Sequence, residues 1–271
     1  MEEKQLSFYQ IDYETQTNEF ASTPHAHKHY EVFFFEKGNA THFVDFEQYP
    51  ILDHSLFLVS KNQVHYITAK PHTYNYGFVL SISQELIELL DKDLLQLFGS
   101  LTQSPAYHIE ASQFFSAIFK QMKVELTEER PMNVRIVFDL LKVLLTYLLR
   151  SVEIPSSKRS SYETSFLEFL SYLEDNFRTV RSVKAYAQLM NITPGQLNRI
   201  CKANADQTAL NLIHYRINLE AKRKIFFSSS QIKEICFQLG FEDAGHFHNF
   251  FKRMNGKSPV QFREEMLQIF N

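Results

Sequence analysis

Apolar and polar positions change period once along the 271-residue chain. Between residue 6 and about residue 80, short runs rich in Val, Phe, Tyr and Ile fall at 30–35 (YEVFFF), 41–46 (THFVDF), 55–60 (SLFLVS), 64–69 (VHYITA) and 76–82 (YGFVLSI). Turn residues part them, among them Lys37-Gly38-Asn39 and Lys61-Asn62-Gln63. Strands punctuated in this way predict a small antiparallel barrel or sandwich. From Gln84 onward the apolar residues recur at helical spacing: Phe114, Phe115, Ile118, Phe119 and Met122, then Val134, Val137, Phe138, Leu141, Leu144, Leu145 and Leu148. Two amphipathic helices are expected to close this first domain, broken at Glu128-Glu129-Arg130-Pro131 because proline cannot continue a helix. Their wide apolar faces would lie on the strands or pair with a second subunit.

Residues 154–164 are polar, contain Pro155 and predict a linker. It would separate a domain at 1–153 from one at 165–271 that shows helical patterning throughout. The fold class is thus α+β with two domains, as the chain length also favours, since one core seldom grows past roughly 250–300 residues.

Charge sharpens this division. The net charge is −3, but residues 157–271 hold 16 Lys and Arg against 11 Asp and Glu, while residues 1–156 hold 12 against 20. A basic module joined to an acidic one points to a polyanion partner for the C-terminal part alone. Hydrophobic residues at 44% and charged residues at 22% exclude disordered and fibrous classes. The longest apolar segment, 134–149, is interrupted by Arg135, Asp139 and Lys142, so no membrane span is expected. MEEKQLSFYQ lacks the apolar stretch of a signal peptide. Cys201 and Cys236, the two cysteines, have no C-x-x-C spacing, which argues against a disulfide framework or zinc ribbon and fits a cytoplasmic setting.

Two stretches of the basic module carry one design. In 182–202, Val183, Tyr186, Ala187 and Met190 form a helix face, the chain turns at Asn191-Ile192, and Thr193-Pro194 supplies an N-cap followed by proline at the first helical position. In 231–259, Cys236 takes the place of Ala187, where the next helix must cross closely, and Gly240 supplies the turn. The stretches form a degenerate repeat of helix-turn-helix units, whose second helices would enter the major groove of double-stranded DNA. On the first such helix Leu197, Ile200 and Cys201 should face inward, leaving Gly195, Gln196, Asn198, Arg199 and Lys202 outward. On the second, Phe247, Phe250 and Phe251 should face inward, leaving Gly245, His246, His248, Asn249 and Lys252 outward. Gln, Asn and Arg suit base edges, whereas Lys202 and Lys252 suit phosphate. Gly195, Gly245 and Asp243 offer little to a base, which leaves room for readout through backbone and DNA shape.

From about Phe166 to Phe270 the chain resembles the DNA-binding domain of the AraC/XylS family of transcription regulators. The resemblance is carried by Ala221-x-x-x-Ile225, Ile232-x-x-Ile235-Cys236, Gly240-Phe241, Phe247, Phe250-Phe251-Lys252-Arg253, Gly256 and Ser258-Pro259-x-x-Phe262-Arg263. It implies a seven-helix domain in which a long helix, about 210–225, joins the two units. The chain departs from the family pattern at Asp206 (usually glycine), Cys201 (usually aromatic) and Cys236 (usually alanine). As partners the resemblance implies RNA polymerase, a second copy of the chain in a homodimer and a small-molecule effector, with activation as the expected outcome.

In the first domain, His25-x-His27-x3-Glu31-x6-Gly38 is similar to the first motif of cupins, so the strands are expected to form a cupin-like antiparallel barrel. On a strand, His25, His27 and His29 would point together, and imidazoles with a carboxylate suit transition metals. His65 offers a fourth ligand. Three roles stay open for this cluster: a metal centre of His25, His27, Glu31 and His65, a metal-free effector pocket, or a structural cluster. The expectation adopted is an effector pocket of His25, His27, Glu31, Phe33, Phe35, His65 and Tyr66, with Phe43 and Tyr76 as further lining and no cofactor. A metal-dependent cupin enzyme tethered to DNA, and a regulator blind to ligands, are the rival readings.

Overall fold

The computed structural model describes residues 5–14, 20–99, 104–129, 131–151 and 161–270. The chain divides into two compact units, Met1–Ser156 and Ser157–Asn271.

The first unit carries strands β1 (Leu6–Glu14), β2 (Phe20–Ala21), β3 (Tyr30–Lys37), β4 (Ala40–Val44), β5 (Glu47–Ile51), β6 (Ser55–Val59), β7 (His65–Ala69), β8 (Tyr74–Ile82) and β9 (Ala106–His108). They form two antiparallel sheets in the orders β1-β8-β3-β6-β9 and β2-β7-β4-β5. Helices α1 (Gln84–Ile87), α2 (Lys92–Leu95), α3 (Ser112–Thr127) and α4 (Asn133–Ser151) complete it. The expected break between α3 and α4 is present, with Arg130 outside the described residues.

Strand alternation explains the run Val32-Phe33-Phe34-Phe35. Phe33 and Phe35 join Val44, Ile51, Phe57 and Val59 between the sheets, while Val32 and Phe34 join Leu56, Phe78 and Leu80 beneath α3 and α4. The five-stranded sheet is covered on both faces, so β6 is buried at every position. The helix faces read from periodicity supply Phe115, Phe119, Met122, Leu141, Leu144 and Leu148 to that second core. Burying one such side chain fully contributes about 1.5–3 kcal/mol.

The second unit is helical among its described residues: α5 (Ser161–Asn176), α6 (Val183–Leu189), α7 (Pro194–Ala205), α8 (Ala209–Phe227), α9 (Ile232–Gln238), α10 (Ala244–Asn255) and α11 (Pro259–Phe270). The expected linker at 154–164 needs correction at its end, because α5 already begins at Ser161; positions 154–160 lie outside the described residues. Arg216 of α8 anchors this unit. Its guanidinium makes two bonds to Glu174 of α5 (2.6 and 2.8 Å), one to Glu220 (3.2 Å), and lies 3.8 Å from the centre of the Phe177 ring. Fork geometry of this kind fixes orientation as well as charge.

Candidate functional site

The first helix-turn-helix is α6 and α7. Ser182 caps α6 by accepting from the Ala185 N–H, and Tyr186 and Ala187 are fully buried. Asn191 turns the chain with φ of 54°, and the Ile192 N–H bonds back to the Ala187 carbonyl at 2.9 Å. Thr193 then opens α7 through a reciprocal cap: its Oγ1 accepts from the Gln196 N–H, and Gln196 Oε1 accepts from the Thr193 N–H at 2.8 Å. Leu197, Ile200 and Cys201 are buried, while Gly195, Gln196, Arg199 and Lys202 are exposed. One expectation needs correction here. Asn198 is half-buried and spends its Oδ1 on the Ala209 N–H at the start of α8, 3.0 Å away. Gln196 keeps its place on the surface, but its amide oxygen belongs to the cap.

The second unit, α9 and α10, repeats the design. Ile235 and Cys236 are buried, Gly240 turns the chain at φ of 75°, and the Phe241 N–H bonds to the Cys236 carbonyl at 3.1 Å. Only glycine fits this turn: a Cβ at 240 would sit 2.1 Å from the Arg178 carbonyl oxygen. Asp243 caps α10 by accepting from the His246 N–H at 2.9 Å. Phe247, Phe250 and Phe251 are buried, and Gly245, His246, His248, Asn249 and Lys252 are exposed. Arg253, which the sequence reading counted only as part of a family pattern, is exposed beside Lys252. Both cations sit in the last turn of α10, where its negative dipole end favours them. The buried thiol of Cys201 is pushed up to about 12 by burial, so it behaves as a small apolar side chain.

In the first unit, histidines converge from separate places. His25 and His27 do not lie on a strand, as expected, but on the loop before β3, held by paired backbone bonds between His25 and His65 (3.1 and 2.9 Å) and by the Asn62 N–H on the His27 carbonyl. Glu31 Oε2 lies 3.0 Å from His27 Nε2 and 3.6 Å from His65 Nε2, and Glu31 Oε1 lies 3.3 Å from His29 Nε2. A residue the sequence reading passed over, His42 of β4, is fully buried with its Nε2 3.2 Å from His65 Nδ1. Its parity with Val44 on β4 carried that signal. Burial works against the Glu31 carboxylate, yet the hydrogen bond and charge of His27, with His65 and the Ser81 hydroxyl, hold its carboxyl down at about 2. Burial pushes His42 down to about 3 and, with His42 beside it, His65 to about 2, so both imidazoles are neutral at pH 7.

Residues 186–265 match the family described as a helix-turn-helix domain, and residues 7–137 match the AraC-like ligand binding domain. The HTH-type transcriptional regulator YfiF of Bacillus subtilis is 20% identical over 97% of this chain and 85% of its own length. The HTH-type transcriptional activator RhaS of Escherichia fergusonii is 22% identical over 82% of this chain and 87% of its own. This chain belongs to the AraC family. ToxT from Vibrio cholerae O395, a solved structure, covers 97% of this chain and 99% of its own at 15% identity, with a TM-score of 0.47.

As an AraC-family transcription regulator, the chain pairs a cupin-like ligand-binding domain with a DNA-binding domain. The structure places the residues expected to line an effector pocket on different surfaces of the strand unit. Phe33 and Phe35 pack into the inter-sheet core. Phe43 and Tyr66 stack on one another, ring centres 4.3 Å apart, and by strand alternation lie on the opposite face from His42 and His65. Tyr76 packs against the core beneath the helices. An open cavity of about 500 Å³ lies elsewhere, lined by Leu86, Leu89, Met132, Val134, Phe138 and Lys142 among others, and none of the pocket residues named from sequence lines it. Among the described residues no helix is long and apolar enough to cross a membrane.

Proposed function

We propose that this AraC-family regulator is a cytoplasmic activator that reads two adjacent major-groove sites on double-stranded DNA and answers to a small-molecule effector bound by its first domain. The observation that carries the DNA reading is the duplication itself: two capped, exposed recognition helices joined through α8. That helix has 19 residues, or about 28 Å at 1.5 Å per residue, close to the roughly 34 Å of one DNA turn. Gln196, Arg199, His246, His248 and Asn249 carry the groups that suit base edges, while Lys202, Lys252 and Arg253 suit phosphates. The activator RhaS, similar along 82% of this chain, supports activation, which requires contact with RNA polymerase. Effector control works only if the ligand binds two arrangements of a homodimer with different affinity.

Selection from a random double-stranded DNA pool at fixed salt tests the reading. Two enriched boxes about one helical turn apart are expected; absence of enrichment with only salt-sensitive background binding overturns it. Lys252→Ala and Lys202→Ala should each flatten the plot of log affinity against log salt by about 0.9, without changing the enriched sequence. A footprint and affinity unchanged across candidate effectors would remove the effector half of the proposal, and a transcription assay with purified polymerase decides activation.

A further inference from the structure

The segment 177–181, between α5 and the first helix-turn-helix, reaches across to the second. Its backbone continues α5: the Phe177 N–H bonds to the Leu173 carbonyl at 2.9 Å, and the Thr179 and Val180 N–H groups bond to the Asn176 carbonyl at 3.0 and 2.8 Å. Phe177 is buried with Arg216 of α8 over its ring, and Arg178 Nη2 donates to Glu220 Oε1 of α8 at 3.0 Å. On this base the Arg178 carbonyl oxygen stands so close to Gly240 that a Cβ there would come within 2.1 Å of it. Arg181 supplies the longer reach. Its Nη2 donates to the carbonyl of Leu239, the residue that ends α9, and its guanidinium lies 3.7 Å from the centre of the Phe241 ring. One side chain thereby grips the Gly240 turn on both sides.

Arginine suits this place for a physical reason. A carbonyl at a helix C-terminus carries the negative end of the dipole, and an aromatic face attracts a cation. A planar guanidinium meets both at once, donating from its edge while its face lies on the ring. Arg181 is half-buried, and among the described residues its partners are that carbonyl and that ring, with no carboxylate. Phe241 passes the hold to the recognition helix, its ring centre 5.1 Å from that of Phe247 and 5.3 Å from that of Phe250. Each recognition helix is also keyed to α8. Asn198 of α7 accepts from the Ala209 N–H at 3.0 Å, and Asn255 of α10 exchanges amide hydrogen bonds with Asn218 at 2.6 and 3.0 Å. Links through α8 alone leave a hinge between the two helices. A further link, running from the first unit straight to the turn of the second, closes the triangle.

We propose that Arg181 is a positioning residue that fixes the distance and angle between the two recognition helices, and with them the spacing of boxes that the protein accepts on DNA. The inference deepens the two-site reading and rests on it. Two linked readers hold a paired site through the effective concentration of the second once the first is seated, which is greatest when the link matches the span. Loosening the link lowers affinity for the matched spacing and flattens the preference for it, while each unit keeps its own contacts.

Two measurements on the full-length protein test this, the first without DNA. Cys201 and Cys236 are buried, so spin labels at Lys202→Cys and Lys252→Cys report the distance between α7 and α10 by pulsed dipolar electron spin resonance. Adding Arg181→Ala should broaden the distance distribution. The second measurement compares affinity of the unlabelled protein for the enriched paired boxes and for the same boxes moved apart by one base pair. Arg181→Ala should weaken binding at the enriched spacing about tenfold and cut the preference for that spacing about threefold, with the salt slope unchanged. Arg181→Lys, a point charge that still serves a phosphate but has no planar fork, should behave as Arg181→Ala does. Far-UV circular dichroism shows whether each variant is folded; should Arg181→Ala fail to fold, Arg181→Lys decides both measurements. The proposal is overturned by an unbroadened distribution, by an unchanged spacing preference in a folded variant, or by a salt slope reduced by about 0.9, which would make Arg181 a phosphate contact. Failure of the wild type to enrich paired boxes overturns the two-site reading instead, so the two failures are told apart.

Discussion

In the first helix-turn-helix the left-handed turn residue is Asn191 (φ 54°), and in the second it is Gly240 (φ 75°); both are followed by the same backbone bond, to the Ala187 carbonyl in one unit and the Cys236 carbonyl in the other. The units diverge one helix later. Asn198 on α7 uses its side chain to satisfy the N–H of Ala209, the first residue of α8. At the matching place on α10 stands His248, and the helix that follows starts with Pro259, which has no N–H to satisfy. The proline thus releases a side chain that the first unit must commit to structure. Two units of one design thus differ, the first giving part of its polar surface to holding α8 and the second leaving the matching side chain exposed.

Gly240→Ala should break this comparison most severely. The added Cβ would meet the Arg178 carbonyl in a left-handed conformation, with about 1–2 kcal/mol of backbone strain and about 1–3 kcal/mol of overpacking. Asn191→Ala, at a position that already accepts a side chain, should lose about 1 kcal/mol or less. Urea unfolding of both variants checks the pair, and equal losses would mean that the two turns are equivalent after all. Asn198→Ala comes next. It leaves the fully buried Ala209 with an unsatisfied N–H, which costs about 1–3 kcal/mol, whereas His248→Ala should stay within about 0.5 kcal/mol of wild type and weaken DNA binding instead. A stable Asn198→Ala variant with impaired DNA binding would return Asn198 to the list of base-reading residues.

The helical unit was more legible than the strand unit because its signals are local. Thr193-Pro194 and Gly240 mark their helix starts and turns within a few residues, and the inward positions follow from one period. The strand unit depends on pairing at a distance. β5 escaped notice because Glu47–Ile51 lacks alternation and contains Pro50, which is tolerated since β5 is the edge of its sheet. His25, His27 and Glu31 were named together on the premise of a strand, but a loop tied to His65 brings them together. Tyr66 was counted with the pocket for its aromaticity, although its parity with His65 puts it on the other face. The same parity, applied to β4, would have found His42.

The smallest expected effect concerns the ends of the two recognition helices. Asp206 closes α7 with φ of 51°, and Gly256 closes α10 with φ of 73°; each N–H bonds to the carbonyl of a lysine four residues back, Lys202 at 3.1 Å and Lys252 at 2.8 Å. The caps match in geometry, and only the side chain differs. Asp206→Gly removes the Cβ that makes this conformation unfavourable, worth about 1–2 kcal/mol, but adds about 0.4–1 kcal/mol of chain entropy to the unfolded state. A net gain of about 0.5 kcal/mol should appear as a small rise in urea midpoint. The reciprocal change, Gly256→Ala, meets open space, so it should lose about 1 kcal/mol through backbone strain alone. If Asp206→Gly destabilised the protein, the aspartate would be acting through a contact of its side chain rather than enduring its backbone, and the first unit would owe its cap to chemistry that the second does without.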